Sequence, residues 1–309
     1  MTKKLPVLLT PYIKTRNSYE KLKICRSCNH FTVLGDSRCP ICSKSALQPV
    51  EQRAASLLAR GFWGARIFVL IVAVVGLAFS ESALHSALMA LAGTALLALL
   101  WTLQRRWTPA LVQGKLENLF QTEAHRLVAG LAHDRDMAIQ VFHSGDKLRT
   151  YEMLREIGAF IRTDQLRLEQ ILLLQSFALR KDMDLMLDPL LMDQFNPDLA
   201  EYIGELAKIR RDLLKENAFR YVTLHETRIL RMERGESIMV GVAGAAIRMK
   251  RYVALYPYLV LRYAEKLPKE RFLRLYRMLK SSPGTSFGPL YEEVMRVHQE
   301  KYKWDEDFR

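Results

Sequence analysis

Two stretches of the chain depart from its otherwise mixed pattern of apolar and polar positions. Gly61 to Ser80 reads GFWGARIFVLIVAVVGLAFS, with Arg66 as its sole charge, and Ala83 to Leu103 carries no formal charge. Each runs to about 20 residues, the length that crosses a hydrocarbon core of about 30 Å at 1.5 Å rise per residue. Only Glu81 and Ser82 lie between them, so the pattern predicts two antiparallel transmembrane helices, residues 61–80 and 83–103, joined as a tight hairpin. Arg66 sits near one end, where its methylenes stay in the apolar layer while the guanidinium reaches the headgroups, and Phe62, Trp63, Trp101 and Trp107 fall where interfacial aromatics belong. Gly76 and Gly93, with Ala73, Ala90 and Thr94 as small neighbours, predict close helix packing. No ionisable residue falls at mid-span, which favours an anchor over a conduit.

Beyond Pro109 the period changes to that of amphipathic helices. The expected helices run about 110–131, 134–143, 147–161, 165–180, 184–194, 198–231 with a break near Asn217, 236–264 with a break before Pro257, 268–280 and 288–302. Thr163-Asp164, Asp188-Pro189 and Asn196-Pro197 supply start signals, and the run from Ser281 to Ser286 reads as a loop. Ile171 to Leu174 predict a central helix. Residues 237–247, SIMVGVAGAAI, are too few to span a bilayer and predict a close-packed core helix. Helices of this length with short connections suggest either a repeat-like array or a bundle, and no fixed repeat period is found.

Charge adds an orientation. The chain has 309 residues and a formal charge of +13. Residues 1–60 hold 11 basic against 3 acidic side chains, whereas residues 109–309 are nearly balanced at 32 and 29. Arg53, Arg60 and Arg66 flank the first span and Arg105 and Arg106 the second, while the connecting turn has no Lys or Arg. The positive-inside rule then places both termini in the cytoplasm of a bacterial-type inner membrane.

All four cysteines of the chain fall in one segment, as Cys25-x2-Cys28-x10-Cys39-x2-Cys42. Two C-x-x-C turns facing each other offer four thiolates to a tetrahedral ion, and Zn²⁺ suits such a site. The intervening Phe31 to Leu34 followed by Gly35-Asp36 predicts a strand and turn. The segment from about residue 22 to 47 resembles the short zinc-ribbon family, whose second knuckle commonly reads Cys-Pro-x-Cys-Gly. Here it reads Cys39-Pro40-Ile41-Cys42-Ser43, and Asn29 follows the first knuckle as a residue that tolerates a left-handed backbone. The resemblance implies a structural Zn²⁺ on Cys25, Cys28, Cys39 and Cys42 and a binding module. His30 reads as a surface residue. Lys14, Arg16, Lys21, Lys23, Arg26, Arg38 and Lys44 make the ribbon basic, which suits either an anionic lipid surface or, as the less favoured reading, nucleic acid.

The domain organisation read from this is a basic zinc-ribbon domain over 1–50, a juxtamembrane linker over 51–60, the two spans, and a cytoplasmic all-α domain over 109–309. The fold class is a mainly α membrane protein. No catalytic constellation, phosphate loop or small-molecule substrate site is identified. His133-Asp134, with His125 and Asp136 nearby, is similar to the dyad of all-α metal-dependent phosphohydrolases but lacks that family's spacing, and a helix-capping role for Asp134 is the simpler expectation. Glu201, Glu205, Lys208, Asp212 and Lys215 predict a solvated face of paired charges. Tyr252, Tyr256, Tyr258 and Tyr263 with Arg248, Lys250, Arg251 and Arg262 form an aromatic and basic patch suited either to a partner or phosphate or, equally, to the wet edge of a helical core. The expected role is a membrane-anchored interaction or regulatory module with a protein partner. The alternatives are a membrane-bound phosphohydrolase-like enzyme and nucleic-acid recruitment.

Overall fold

The computed structural model describes residues 4–34, 38–78, 83–281 and 287–308. The expected turns at Gly35-Asp36 and Glu81-Ser82, the loop over 282–286 and the side chains of His85 and Ser86 lie outside the described residues. The chain divides into two compact units, Ile13–Ser144 and a second made of Met1–Tyr12 with Gly145–Arg309.

In the first unit, strands β1 (Lys23–Cys25), β2 (Phe31–Thr32) and β3 (Leu47–Pro49) form an antiparallel sheet in the order β2-β1-β3. Ile24 pairs with Phe31 on one side and Gln48 on the other. Leu22, Ile24, Phe31 and Val33 are buried, so this small sheet has an apolar side to pack. Strand β3 runs straight into helix α1 (Val50–Ala78), whose first amide donates to the Leu22 carbonyl at 3.1 Å.

Helix α2 (Ala83–Thr122) packs against α1. At 29 and 40 residues the two reach about 43 and 60 Å, each longer than a bilayer core. Both are apolar enough to cross a membrane, and none of the most apolar 18-residue stretch of either is buried. Phe68, Leu70, Ile71, Val72, Val74 and Val75 are exposed and cover the faces of α1 turned away from α2. The small residues do bring the pair together: a Cβ added at Gly93 would lie 3.1 Å from the Ala73 Cβ, and Gly76 faces Met89. Arg66 donates from Nε to Gln104 Oε1 at 3.0 Å, and its guanidinium lies 5.7 Å from the Trp63 ring centre.

Two sequence expectations fail around Pro109. No helix starts at 110, because α2 passes through the proline unbroken, with Thr108 Oγ1 donating to the Gln104 carbonyl at 2.5 Å. Nor is there a break at 131–134. Helix α3 (Ala124–His143) covers the whole of it, and Asp134 lies inside that helix instead of capping one.

The second unit is helical: α4 (Lys147–Ile157), α5 (Asp164–Ser176), α6 (Pro197–Ile209), α7 (Glu216–Leu224), α8 (Glu226–Leu230), α9 (Gly235–Ala246), α10 (Lys250–Leu255), α11 (Pro257–Tyr263), α12 (Lys269–Lys280) and α13 (Pro289–Val297). The start signals hold at Thr163 and Asn196, whose side chains accept from the amides of Leu166 and Leu199. Helix α9 is the expected core helix: Ile238, Met239, Val242 and Ala243 are buried, and Gly204 of α6 gives way to Ile238, which a Cβ there would meet at 2.7 Å. Ile171, Leu173 and Leu174 of α5 are buried as expected, whereas Leu172 is exposed. No helix forms over 184–194, where only a single 3-10 turn at Asp188–Leu190 appears.

The first residues of the chain complete this unit. Leu5 bridges Phe177 in parallel, with Leu5 N–H to Ser176 O at 2.9 Å and Ala178 N–H to Leu5 O at 2.8 Å. Glu152 accepts from both the amide and the hydroxyl of Thr10, and Asp184 accepts from the Tyr12 amide at 2.6 Å. Arg155, almost fully buried, donates to Thr10 O at 3.0 Å and stacks over Tyr12.

A four-cysteine candidate metal site locked to helix α3

The two knuckles are built alike. Cys25 donates its amide to His30 O and its carbonyl accepts from the Asn29 amide; Cys39 donates to Lys44 O and accepts from the Ser43 amide. Each turn thus closes four and five residues on, and the fourth residue after each first cysteine must cross to positive φ. Asn29 has φ 55° and Ser43 φ 56°. The first knuckle is also the loop of the β1–β2 hairpin.

This repetition aims all four sulfurs at one point. Cys25 Sγ lies 3.6 Å from Cys42 Sγ and Cys28 Sγ lies 3.6 Å from Cys39 Sγ, and all four fall within 4.8 Å of one another. A tetrahedron of sulfurs at metal–sulfur distances of about 2.3 Å has edges of about 3.8 Å. The cysteines therefore fit a single metal ion and form a zinc-ribbon-like site. Burial pushes the Cys25 thiol up, but the amides of Cys28 and Ser27 and the neighbouring thiols overcome it and bring the group to about 7. Desolvation, aided by the Cys25, Cys39 and Cys42 thiols and only partly offset by the His30 amide, drives Cys28 up to about 12. One thiolate forms readily here; several together need a cation.

The ribbon is held from outside by α3. Asp134 is fully buried, and its two carboxylate oxygens accept from Thr32 Oγ1 at 2.7 Å and from the Val33 amide at 2.8 Å. One turn earlier on the same face, Gly130 lies so close to β2 that a Cβ would sit 2.2 Å from the Phe31 carbonyl oxygen. His30 is half-buried, not a surface residue, and meets His133 edge to face at 5.4 Å. Burial, then His133, lowers its pKa.

The other candidates dissolve into structure. Both Asp134 oxygens are committed to the ribbon, while His125 and Asp136 are exposed, so the His133-Asp134 pair is the centre of a packing contact. The charges from Glu201 to Lys215 do not pair along one helix, because α6 ends at Ile209; instead Glu205 pairs with Lys4, Asp212 with Arg210 and Lys215 with Asp188. In the aromatic and basic patch, Arg251 pairs with Glu216 and Arg262 with Glu226, and Tyr263 also donates to Glu226. Sequence reasoning missed Gly130 and Thr32. The spacing of Gly130 and Asp134, four apart on a helix, was the available signal, since it puts a gap and an acceptor on one face.

No family model, curated protein or solved structure matches the chain, so the zinc-ribbon likeness rests on the cysteine spacing and this local geometry.

Proposed function

We propose that this protein is a two-pass membrane anchor that carries a Zn²⁺-bound ribbon and a helical body on the cytoplasmic face, where it serves as an interaction or regulatory module. One observation carries the reading. Chain on both sides of the apolar hairpin is stitched together twice: residues 5–12 to α4, α5 and the segment beyond it, and β2 to Gly130 and Asp134 of α3. Neither set of contacts can form if the hairpin leaves its two flanks on opposite sides of a bilayer. Apolar side chains exposed on the faces of α1 turned away from α2 favour lipid as its surroundings, and Arg53, Arg60, Arg105 and Arg106 favour the cytoplasm for the flanks.

Zn²⁺ is the metal best suited to four thiolates in tetrahedral array. Complete sulfur coordination leaves no position for a substrate or water, which makes the ion structural. Its part is to hold a folded binding surface that so small a sheet cannot hold alone.

The test uses the intact protein in native membranes. Tags at the two ends, probed by protease before and after permeabilisation, are expected on the same, cytoplasmic side, and purified protein is expected to hold one zinc per chain. Ends on opposite sides, or no metal with the thiols reduced, overturns the proposal. The interaction role is tested by crosslinking wild-type and Cys39→Ser/Cys42→Ser protein in the membrane. A partner lost in the variant places binding at the ribbon, and a partner retained removes it from there. Deleting residues 1–50 is the poorer variant, because it also strips residues 4–12 from the helical body.

A further inference from the structure

Several cations of the helical unit have an acid. Arg210, Lys215, Arg251, Arg262, Lys266, Lys269, Arg296 and Lys301 all form ion pairs. Among the described residues, four arginines close together do not. Arg211, just past α6, donates only to the Ala207 carbonyl, and Ala207 touches Gly241 of α9. Arg271 of α12 lies in the space left by Gly244, where a Cβ would be 2.3 Å from its Nη1, and reaches the Gly241 carbonyl at a long 3.4 Å. One turn on, Arg274 donates to the Arg248 carbonyl at 2.7 Å. Arg248 itself has a buried Nε with no partner and a weak 3.8 Å contact to Met249 Sδ.

These guanidiniums gather where α9 ends, between the chain after α6 and one face of α12. The acids that act on them are Asp212, already held by two nitrogens of Arg210, and Glu270, and neither bonds to any of the four. Burial and then Arg211 depress the Arg271 pKa, with Glu270 pulling back only in part, as two guanidiniums set close together would require. The carbonyl end of α9 offers only about half a negative charge, far less than four guanidiniums carry. Arginine forks bind phosphate oxygens in pairs, and a buried N–H without an acceptor is costly to keep.

We propose that Arg211, Arg248, Arg271 and Arg274 form a binding site for a phosphate group bearing at least two negative charges, borne by a soluble ligand or by an anionic lipid headgroup. The proposal does not depend on the reading of the ribbon.

Pyrophosphate is the probe, titrated into the full-length protein in phosphatidylcholine nanodiscs against sodium chloride of equal ionic strength, with hydrogen exchange read over residues 207–216 and 241–275. Pyrophosphate is expected to slow exchange there and chloride to leave it unchanged. Arg211→Gln is expected to weaken the response at least tenfold and Arg211→Gln/Arg274→Gln to abolish it. Both side chains are exposed and bond only to carbonyls, so neither change threatens the fold. In nanodiscs containing phosphatidylglycerol, protection already present without pyrophosphate assigns the site to a headgroup, and protection that still needs pyrophosphate assigns it to a soluble ligand. No protection in either lipid, or protection undiminished in the double variant, overturns the proposal.

Discussion

Two backbone angles decide how well the cysteines are held. Asn29 and Ser43 occupy the same left-handed position in their knuckles, but asparagine adopts it at lower cost than serine. Ser43→Gly should therefore stabilise the ribbon by about 1 kcal/mol and Asn29→Gly by less. Chelator competition for the bound metal checks the order, and a larger gain at Asn29 contradicts it. Asp134 carries a different tension. Burial is the chief influence on its carboxyl and raises it, with the Val33 amide, the Thr32 hydroxyl and His133 pulling back only in part. The folded protein thus keeps this proton to higher pH than an unfolded chain does, so the contribution is complete below the model-compound range near 3.8 and fades as pH rises through the folded value. Asp134→Asn retains an acceptor for the Val33 amide and removes that dependence, whereas Asp134→Ala leaves the amide buried and unpaired at a cost of about 1–3 kcal/mol. In urea melts from pH 4 to 7, Asp134→Asn should gain on the wild type as pH rises; a gap that does not vary with pH refutes the assignment.

Helix α3 works as an element through what it lacks. Alanine favours a helix over glycine by about 1 kcal/mol, and at Gly114 of α2, with open space around it, Gly114→Ala should realise that gain. At Gly130 the new methyl meets the Phe31 carbonyl, so Gly130→Ala should destabilise by about 1–2 kcal/mol and raise hydrogen exchange in β2, the overpacking outweighing the propensity. Equal effects at the two glycines would mean that β2 does not rest on α3. The same contrast between local preference and tertiary demand explains which elements could be read from sequence. The two long apolar helices, the knuckles, the caps at Thr163 and Asn196 and the buried α9 were legible because each is written in consecutive residues. Pro109 misled, since α2 arrives already formed from the apolar span and carries the missing bond. Residues 184–194 misled because their Leu and Met content suits a helix, yet Met183, Leu185 and Leu187 are buried at alternate positions, the period of extended chain. Arg210 fixes that form from afar by taking the carbonyls of Lys181 and Met183. The seating of residues 4–12 depends on Glu152, Arg155 and Asp184, more than 140 positions away, and no local pattern encodes it.

At the scale of the whole chain, the metal site and the helical core belong to different compact units, and this separates their responses to metal loss. The ribbon sheet has strands of two or three residues, so most of the order in β2 must come from the cysteines beside it and from α3. Removing the metal leaves four thiols within 4.8 Å and no cation to hold them, and the Thr32 and Val33 bonds to Asp134 then lose the strand that presents them. The helical unit draws on buried side chains of α5, α6 and α9 and on the strap of residues 4–12. Chelation of the reduced, full-length protein should therefore raise hydrogen exchange over residues 22–49 and at the Gly130–Asp134 face of α3, while residues 197–209 and 235–246 stay protected. Because the ligands bind metal as thiolates, a chelator of fixed strength should strip the site more readily as pH falls. Exchange rising together in both regions would show that the metal supports the entire fold, and exchange unchanged in both would show that the sheet stands without it.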